Sequence, residues 1–266
     1  MAAPPTLPDL DIRTLGAVAE VRLARPQARN ALSHALMRQL IEAAAFFRAS
    51  TEVQAVIVTG TETYFSAGAD LADPDRARPR TRLEQRQSVR IGPDMCAAWE
   101  ALEQVTIAAI EGYCIGGAAA LAVSLDFRIA GEGAYLRLPE IALGMNMSWG
   151  ALPRVTALVG PARAKRFAIF CEPVDAGQAL DWGMIDEKTE QGGALAAARV
   201  WAAKVAALPP LPVRMTKEAI NAQAGALARA TSVMDRDQWM LTAESSDFRE
   251  GAAAFLQKRT PKFRGD

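Results

Sequence analysis

Histidine is almost missing from this chain: His34 is the only one in 266 residues. A metal site built from several histidines is therefore excluded. A Ser-His-acid triad has a single possible base. Ser33 precedes it, but neighbours on a helix point about 100° apart rather than toward each other. That pair is not expected to form a triad, and His34 reads as an exposed or capping residue. Cysteine is also scarce. Cys96, Cys114 and Cys171 are odd in number and lack C-x-x-C spacing, so neither a disulfide framework nor a zinc knuckle is expected. A reducing cytoplasm is the expected compartment. Net charge is zero, from 30 basic and 30 acidic residues, which provides no electrostatic argument for nucleic acid or membrane as a partner. There is no Walker glycine loop with its lysine and no G-x-G-x-x-G after a strand, so nucleotide hydrolysis and hydride transfer lose their usual support. The longest uncharged apolar stretch, Tyr113 to Leu125, is too short to span a bilayer. It reads as a core helix. Prolines at 4, 5 and 8, with no basic region before an apolar run, do not form a signal-peptide pattern.

Half of the residues are hydrophobic, enough to bury a large core in one domain with an appendage. Val53 to Thr59 and Val105 to Ile110 read as buried strands, Ala17 to Leu23 as an alternating one. Ser33 is placed to cap a helix carrying Leu36, Leu40, Ile41, Ala44 and Phe47 on one face. Residues 72–92, rich in arginine and proline, read as a mobile loop running into a helix around 84–103. A helix over 116–124 and strands over 126–130 and 134–138 follow. From about residue 148 the pattern turns helical, with Ser148, Pro161 and Asp175 as helix-start signals. Alternating strands, turns and helices imply an α/β core.

Two small-residue turns carry the chemistry. Tyr64-Phe65-Ser66-Ala67-Gly68-Ala69-Asp70-Leu71 follows the first buried strand, and Gly112-Tyr113-Cys114-Ile115-Gly116-Gly117 follows the second. The alanine-rich stretch after Gly117 places its N–H in the first turn of a helix, where backbone donors have no intrahelical partner. Two such turns could leave two N–H groups free to hold one oxygen that gains charge. Glycines that only permit tight turns are the plainer reading of either turn alone.

The chain resembles the crotonase superfamily, the enoyl-CoA hydratase/isomerase family. The resemblance runs through Val21-Arg22-Leu23-Ala24-Arg25-Pro26-Gln27-Ala28-Arg29-Asn30-Ala31-Leu32, with Ala24 in place of the usual Asn, and through both glycine turns. It continues in Leu138-Pro139-Glu140-Ile141-Ala142-Leu143-Gly144, in Trp182-Gly183-Met184-Ile185-Asp186-Glu187 and in Lys258-Arg259-Thr260-Pro261-Lys262-Phe263. It implies an α/β fold with a right-handed crotonase-type ββα spiral core and a C-terminal helical region used for trimer assembly, as a homotrimer or a dimer of trimers. Residues 1–15 would then be a loose tail, 16–200 the core and 201–266 the helical region. The resemblance also implies an acyl-CoA thioester substrate, with coenzyme A as its carrier and no permanently bound cofactor.

Residue by residue, Ala69 and Gly117 fall at the oxyanion-hole positions, and Arg25, Ala28, Ala67, Asp70 and Leu71 at coenzyme A contact positions. Asp70 more often holds the turn together. Glu140 falls at a catalytic glutamate position. Placed among Leu138, Ile141, Met145 and Trp149, its carboxylate would have a pKa raised toward neutrality. The second hydratase glutamate would lie three residues after Gly117, where this chain has Ala120. Ser148 stands where dienoyl-CoA isomerases carry an acid. One carboxylate suits a proton shuttle from C2 to C4 of a 3-enoyl thioester. Hydration by Glu140 alone, another enolate reaction such as decarboxylation or thioester hydrolysis, and non-catalytic acyl-CoA binding stay open. Lys258 and Arg259 are candidates for the phosphates; arginines 76, 78, 80 and 82 could add to this, although as a charge run on an expected loop they read first as a solvated surface.

Overall fold

Residues 3–266 are described by a computed structural model. In chain order the strands are β1 (Leu10–Leu15), β2 (Val18–Leu23), β3 (Ala55–Thr59), β4 (Val105–Ile110), β5 (Tyr113–Ile115), β6 (Phe127–Gly131), β7 (Tyr135–Arg137), β8 (Val174–Asp175) and β9 (Glu187–Thr189). Six form one sheet in the order β1-β2-β3-β4-β6-β9, antiparallel only between β1 and β2. The other three form a small sheet, β5-β7-β8.

Side chains alternate across a strand, so β3 and β4 divide between two cores. Val56, Val58, Ala108 and Ile110 face a large cluster that includes Leu36, Leu40 and Trp99. Ala55, Ile57, Ile107 and Ala109 face a second cluster containing Ala194, Ala198 and Ala202. Those three alanines lie on one side of helix Ala194–Ala206. Cover on both faces is why β3 and β4 read as near-continuous apolar runs, interrupted only by the buried threonines Thr59 and Thr106.

After β4 the chain turns at Gly112, whose positive φ of 52° suits glycine. It then enters the small sheet as β5 and continues into helix Gly117–Val123. The same strand, strand, helix sequence recurs through β6, β7 and helix Ala151–Phe170. Each repeat thus places a loop between the two sheets, and the glycine turns lie there. Bridges from Ser66 to Cys114 and from Leu32 to Ala69 bind the first turn to its neighbours.

Several expectations change. Met1 and Ala2, part of the expected tail, lie outside the described residues; Leu7 and Leu10 are buried, and Leu10–Leu15 pairs with β2 as an edge strand. The stretch expected as a mobile loop holds helices Pro74–Ala77 and Arg82–Ser88, followed by Ile91–Glu100. Thr81 and Glu84 form a capping box at the start of the second. Ser148 does not cap a helix with its side chain. Gly150 occupies the cap position there, at φ 63°, directly after Trp149 at φ 64°. Ser33 and Asp175 do cap, accepting from Leu36 N and Gln178 N. Gly160 breaks helix Ala151–Phe170, and Pro161 starts its second half.

The C-terminal helices include Pro210–Ala224, Asp235–Ala243 and Ser246–Gln257. Buried Lys217 docks the first of these, with its Nζ 2.7 Å from Asp126 Oδ2 and 2.6 Å from Gln104 O. Leu211, Met215, Ile220, Leu241 and Phe255 remain exposed on these helices. All three cysteines are buried and unpaired. Among the described residues, no single helix is long and apolar enough to cross a membrane.

Candidate active site

The two glycine turns meet. Gly68 has φ 87°, and a Cβ there would run into Ile115 O and lie 3.4 Å from Gly117 N. Only glycine allows this approach without moving backbone. The first turn is held from below by Leu32 N donating to Gly68 O at 2.7 Å and Asp70 N donating to Leu32 O at 3.1 Å. Ser66 Oγ donates to Asn30 O and accepts from Gly68 N. Ala69 N–H has no acceptor among the described residues. Gly117 opens helix Gly117–Val123, so its N–H has no intrahelical partner. Both residues line a cavity of about 330 Å³.

Glu140 lines the same cavity. It leads into the 3-10 turn Ile141–Leu143, and its carbonyl accepts from Leu143 N and Met145 N, each at 3.0 Å. The side chain reaches back over the second glycine turn. A Cβ on Gly116 would stand 2.8 Å from Glu140 Oε1, and Gly116 adopts φ 55°. Although the residue as a whole is only half-buried, Oε2 is shielded from solvent and has no hydrogen-bond partner. Burial therefore raises the carboxyl pKa to about 7, against smaller lowering effects from its own backbone N–H and from Arg137. Of the expected apolar surroundings, Met145 and Trp149 line the cavity. Leu138 is buried elsewhere in the core, and Ile141 is exposed.

Trp149 was expected only as an apolar neighbour, yet it shapes the site most. Its indole lies where a Cβ on Gly117 or on Gly92 would be, so it is clamped between two glycines. Ala120 is fully buried in the core and does not line the cavity.

The coenzyme A candidates separate. Asp70 and Leu71 line the cavity, and Arg25, Ala28 and Ala67 do not. Arg25 donates to Asp70 Oδ2 at 2.6 Å and to Ala31 O at 2.8 Å, while Asp70 Oδ1 accepts from Ala72 N. This pair holds the first turn. Lys258 and Arg259 are exposed, and Arg259 pairs with Glu250.

Two surface assignments are overturned. Arg76 and Arg80 line the cavity instead of forming a solvated face. Arg80 pairs with Asp75 at 3.0 Å, and Arg76 lies over the Trp239 ring at 6.0 Å. Burial lowers the Arg76 pKa, opposed by the charges of Asp73 and Asp70. His34, expected as exposed or capping, also lines the cavity; its Nδ1 is 2.7 Å from Asp73 Oδ2 and its Nε2 is 3.2 Å from Ser88 Oγ. Sequence reasoning missed both partners because they lie 39 and 54 residues away.

The family described as enoyl-CoA hydratase/isomerase matches residues 13–266. The chain is 33% identical to 2,3-dehydroadipyl-CoA hydratase of Escherichia coli over 91% of its own length and 93% of that protein's. It is 30% identical to crotonyl-CoA hydratase of Syntrophomonas wolfei, over 92% and 94% of the two chains. An enoyl-CoA hydratase from Mycobacterium avium subsp. paratuberculosis superposes with a TM-score of 0.87 at 26% identity, covering 97% of this chain and all of that one. The fold is accordingly of the crotonase type.

Proposed function

Since this chain belongs to the enoyl-CoA hydratase/isomerase family, we propose that it moves the double bond of a 3-enoyl-CoA thioester to the 2 position with Glu140 as its one acid/base. The observation that carries the reading is the shielded, unpartnered Oε2 of Glu140 in the cavity that Ala69 and Gly117 also line. Removal of the C2 proton pushes charge onto the thioester oxygen. The N–H groups of Ala69 and Gly117 donate to that oxygen, each contributing about 3 kcal/mol to the transition state. Glu140 then returns the proton at C4. A pKa of about 7 suits both halves of this shuttle, because the carboxylate takes the proton and the acid gives it back near neutral pH.

A second reading is hydration of a 2-enoyl-CoA with Glu140 alone. It is supported by relatives named hydratases. Hydration must deprotonate water while a proton is delivered to C2, work that two carboxylates share more readily. Burial of Ala120 outside the cavity weighs against it.

In this reading Ala28, Ala67 and Leu71 contact coenzyme A, and Arg25 and Asp70 keep the turn in shape. Exposed apolar side chains on the C-terminal helices support assembly as a homotrimer or a dimer of trimers. Free buried cysteines support a reducing, cytoplasmic compartment. The test is a paired assay of 3-enoyl-CoA isomerisation and 2-enoyl-CoA hydration on one preparation. Isomerisation in excess of hydration is expected; hydration alone would replace the first reading with the second. Tight binding with neither reaction would leave a non-catalytic acyl-CoA binder.

A further inference from the structure

Three side chains from separate parts of the chain meet beside the cavity, which His34 and Ser88 line and behind which Asp73 holds the imidazole. His34 is the first residue of helix His34–Arg48, Asp73 caps helix Pro74–Ala77, and Ser88 ends helix Arg82–Ser88. Asp73 Oδ2 accepts from the His34 backbone N at 2.7 Å as well as facing Nδ1 at 2.7 Å. It thereby satisfies a backbone donor that the helix start leaves unpaired and holds the imidazole at the same time. Burial raises the Asp73 pKa, but hydrogen bonds from His34 and from Asp75 N lower it further, so the carboxylate stays ionised. An acceptor-only carboxylate at Nδ1 requires the proton on that nitrogen. In the neutral imidazole Nε2 is then the lone-pair side, and it is this atom that lies 3.2 Å from Ser88 Oγ. The order of contacts is serine, base, orienting acid, which is how a nucleophilic triad is recognised regardless of chain order.

We propose that Ser88, His34 and Asp73 form a nucleophilic triad that takes the acyl group from a thioester bound in this cavity. The inference rests on the acyl-CoA reading for its substrate and adds a reaction that Glu140 does not perform. Ser88 Oγ attacks the thioester carbonyl carbon while His34 Nε2 takes the hydroxyl proton and Asp73 stabilises the imidazolium. The carbonyl oxygen, now negative, is held by the Ala69 and Gly117 N–H groups on the same cavity. The C–S bond breaks, and His34 returns its proton to the sulfur, leaving free coenzyme A and an ester on Ser88. Water, deprotonated by His34 Nε2, attacks the ester carbon, the bond from that carbon to Ser88 Oγ breaks, and Oγ takes the proton back from Nε2 as the carboxylic acid leaves. Thioester plus water gives acid plus thiol, and the enzyme is restored.

Two measurements on the full-length protein test this. A fluorophosphonate probe, which modifies activated serines, is read by intact and peptide mass spectrometry. Coenzyme A thiol release is followed from saturated acyl-CoA esters of two to sixteen carbons, which have no double bond to isomerise or hydrate. The expected result is one adduct on Ser88, still formed in Glu140→Gln, and thiol release that falls at least about 100-fold in Ser88→Ala and in His34→Gln. Absence of the adduct from the wild-type protein overturns the proposal, as does thiol release unchanged in Ser88→Ala. Because probe labelling needs neither Glu140 nor an enoyl group, loss of the isomerase reading would leave an adduct on Ser88 intact.

Discussion

Replacing Glu140 with glutamine separates the energetic cost of its buried charge from its chemistry. The carboxyl pKa is about 7 in the folded protein and ordinarily 4.5. At about 1.4 kcal/mol per pH unit, that difference corresponds to about 3 kcal/mol. Between those two values the folded chain holds a proton that the unfolded chain has lost. Stability from this group is therefore fully present below pH 4.5, falls as pH rises through the window, and is lost above about 7. Glutamine carries no titratable proton, so the variant lacks this dependence. The informative quantity is the difference between the two stability curves, because a buried amide without partners has its own pH-independent cost. Urea unfolding followed by circular dichroism from pH 5 to pH 9 should show Glu140→Gln gaining about 2.5 kcal/mol relative to wild type as pH rises, the remainder of the change lying below pH 5. A difference that stays flat across that range would refute the argument that burial sets the state of this carboxyl.

Four further outcomes follow from the same geometry. In wild type, kcat/KM for isomerisation should rise with pH to a plateau through about 7, because the carboxylate form takes the C2 proton; an initial-rate profile checks this. Gly68→Ala places a Cβ against Ile115 O at φ 87°, and should lower kcat about 100-fold by moving the Ala69 N–H. Ala120→Glu puts a carboxylate at a fully buried site outside the cavity, so it should destabilise the fold by several kcal/mol in urea and bring no gain in hydration. Lys217→Met leaves Asp126 partly buried without its cation and should cost about 3–5 kcal/mol in the same unfolding assay.

What could be read from the chain was local, and what could not depended on distant contacts. Both glycine turns, the strands before them and the Ser33 and Asp175 caps each announce themselves within a few residues. So did Glu140 in its short apolar segment. Helix Arg82–Ser88 was legible only in part, inside the single helix expected around 84–103, because it buries no residue and so carries no apolar stripe to mark its start or its break from Ile91–Glu100. Its capping box Thr81 and Glu84 was the one available signal, and Arg86 is tied to Asp237 from 151 positions away. The indole of Trp149 packs against Gly117 from a residue at positive φ, a conformation that a bulky residue gives no sign of in sequence. His34 looked isolated for the same reason: its partners come from two other helices.

The central claim is that one carboxylate does the proton transfer. Turnover of 3-enoyl-CoA by Glu140→Gln, measured beside its affinity for acyl-CoA by calorimetry, tests it most directly. Isomerisation is expected to fall by about 10²–10⁴-fold while acyl-CoA still binds; unchanged turnover in that variant would remove Glu140 from the proton transfer.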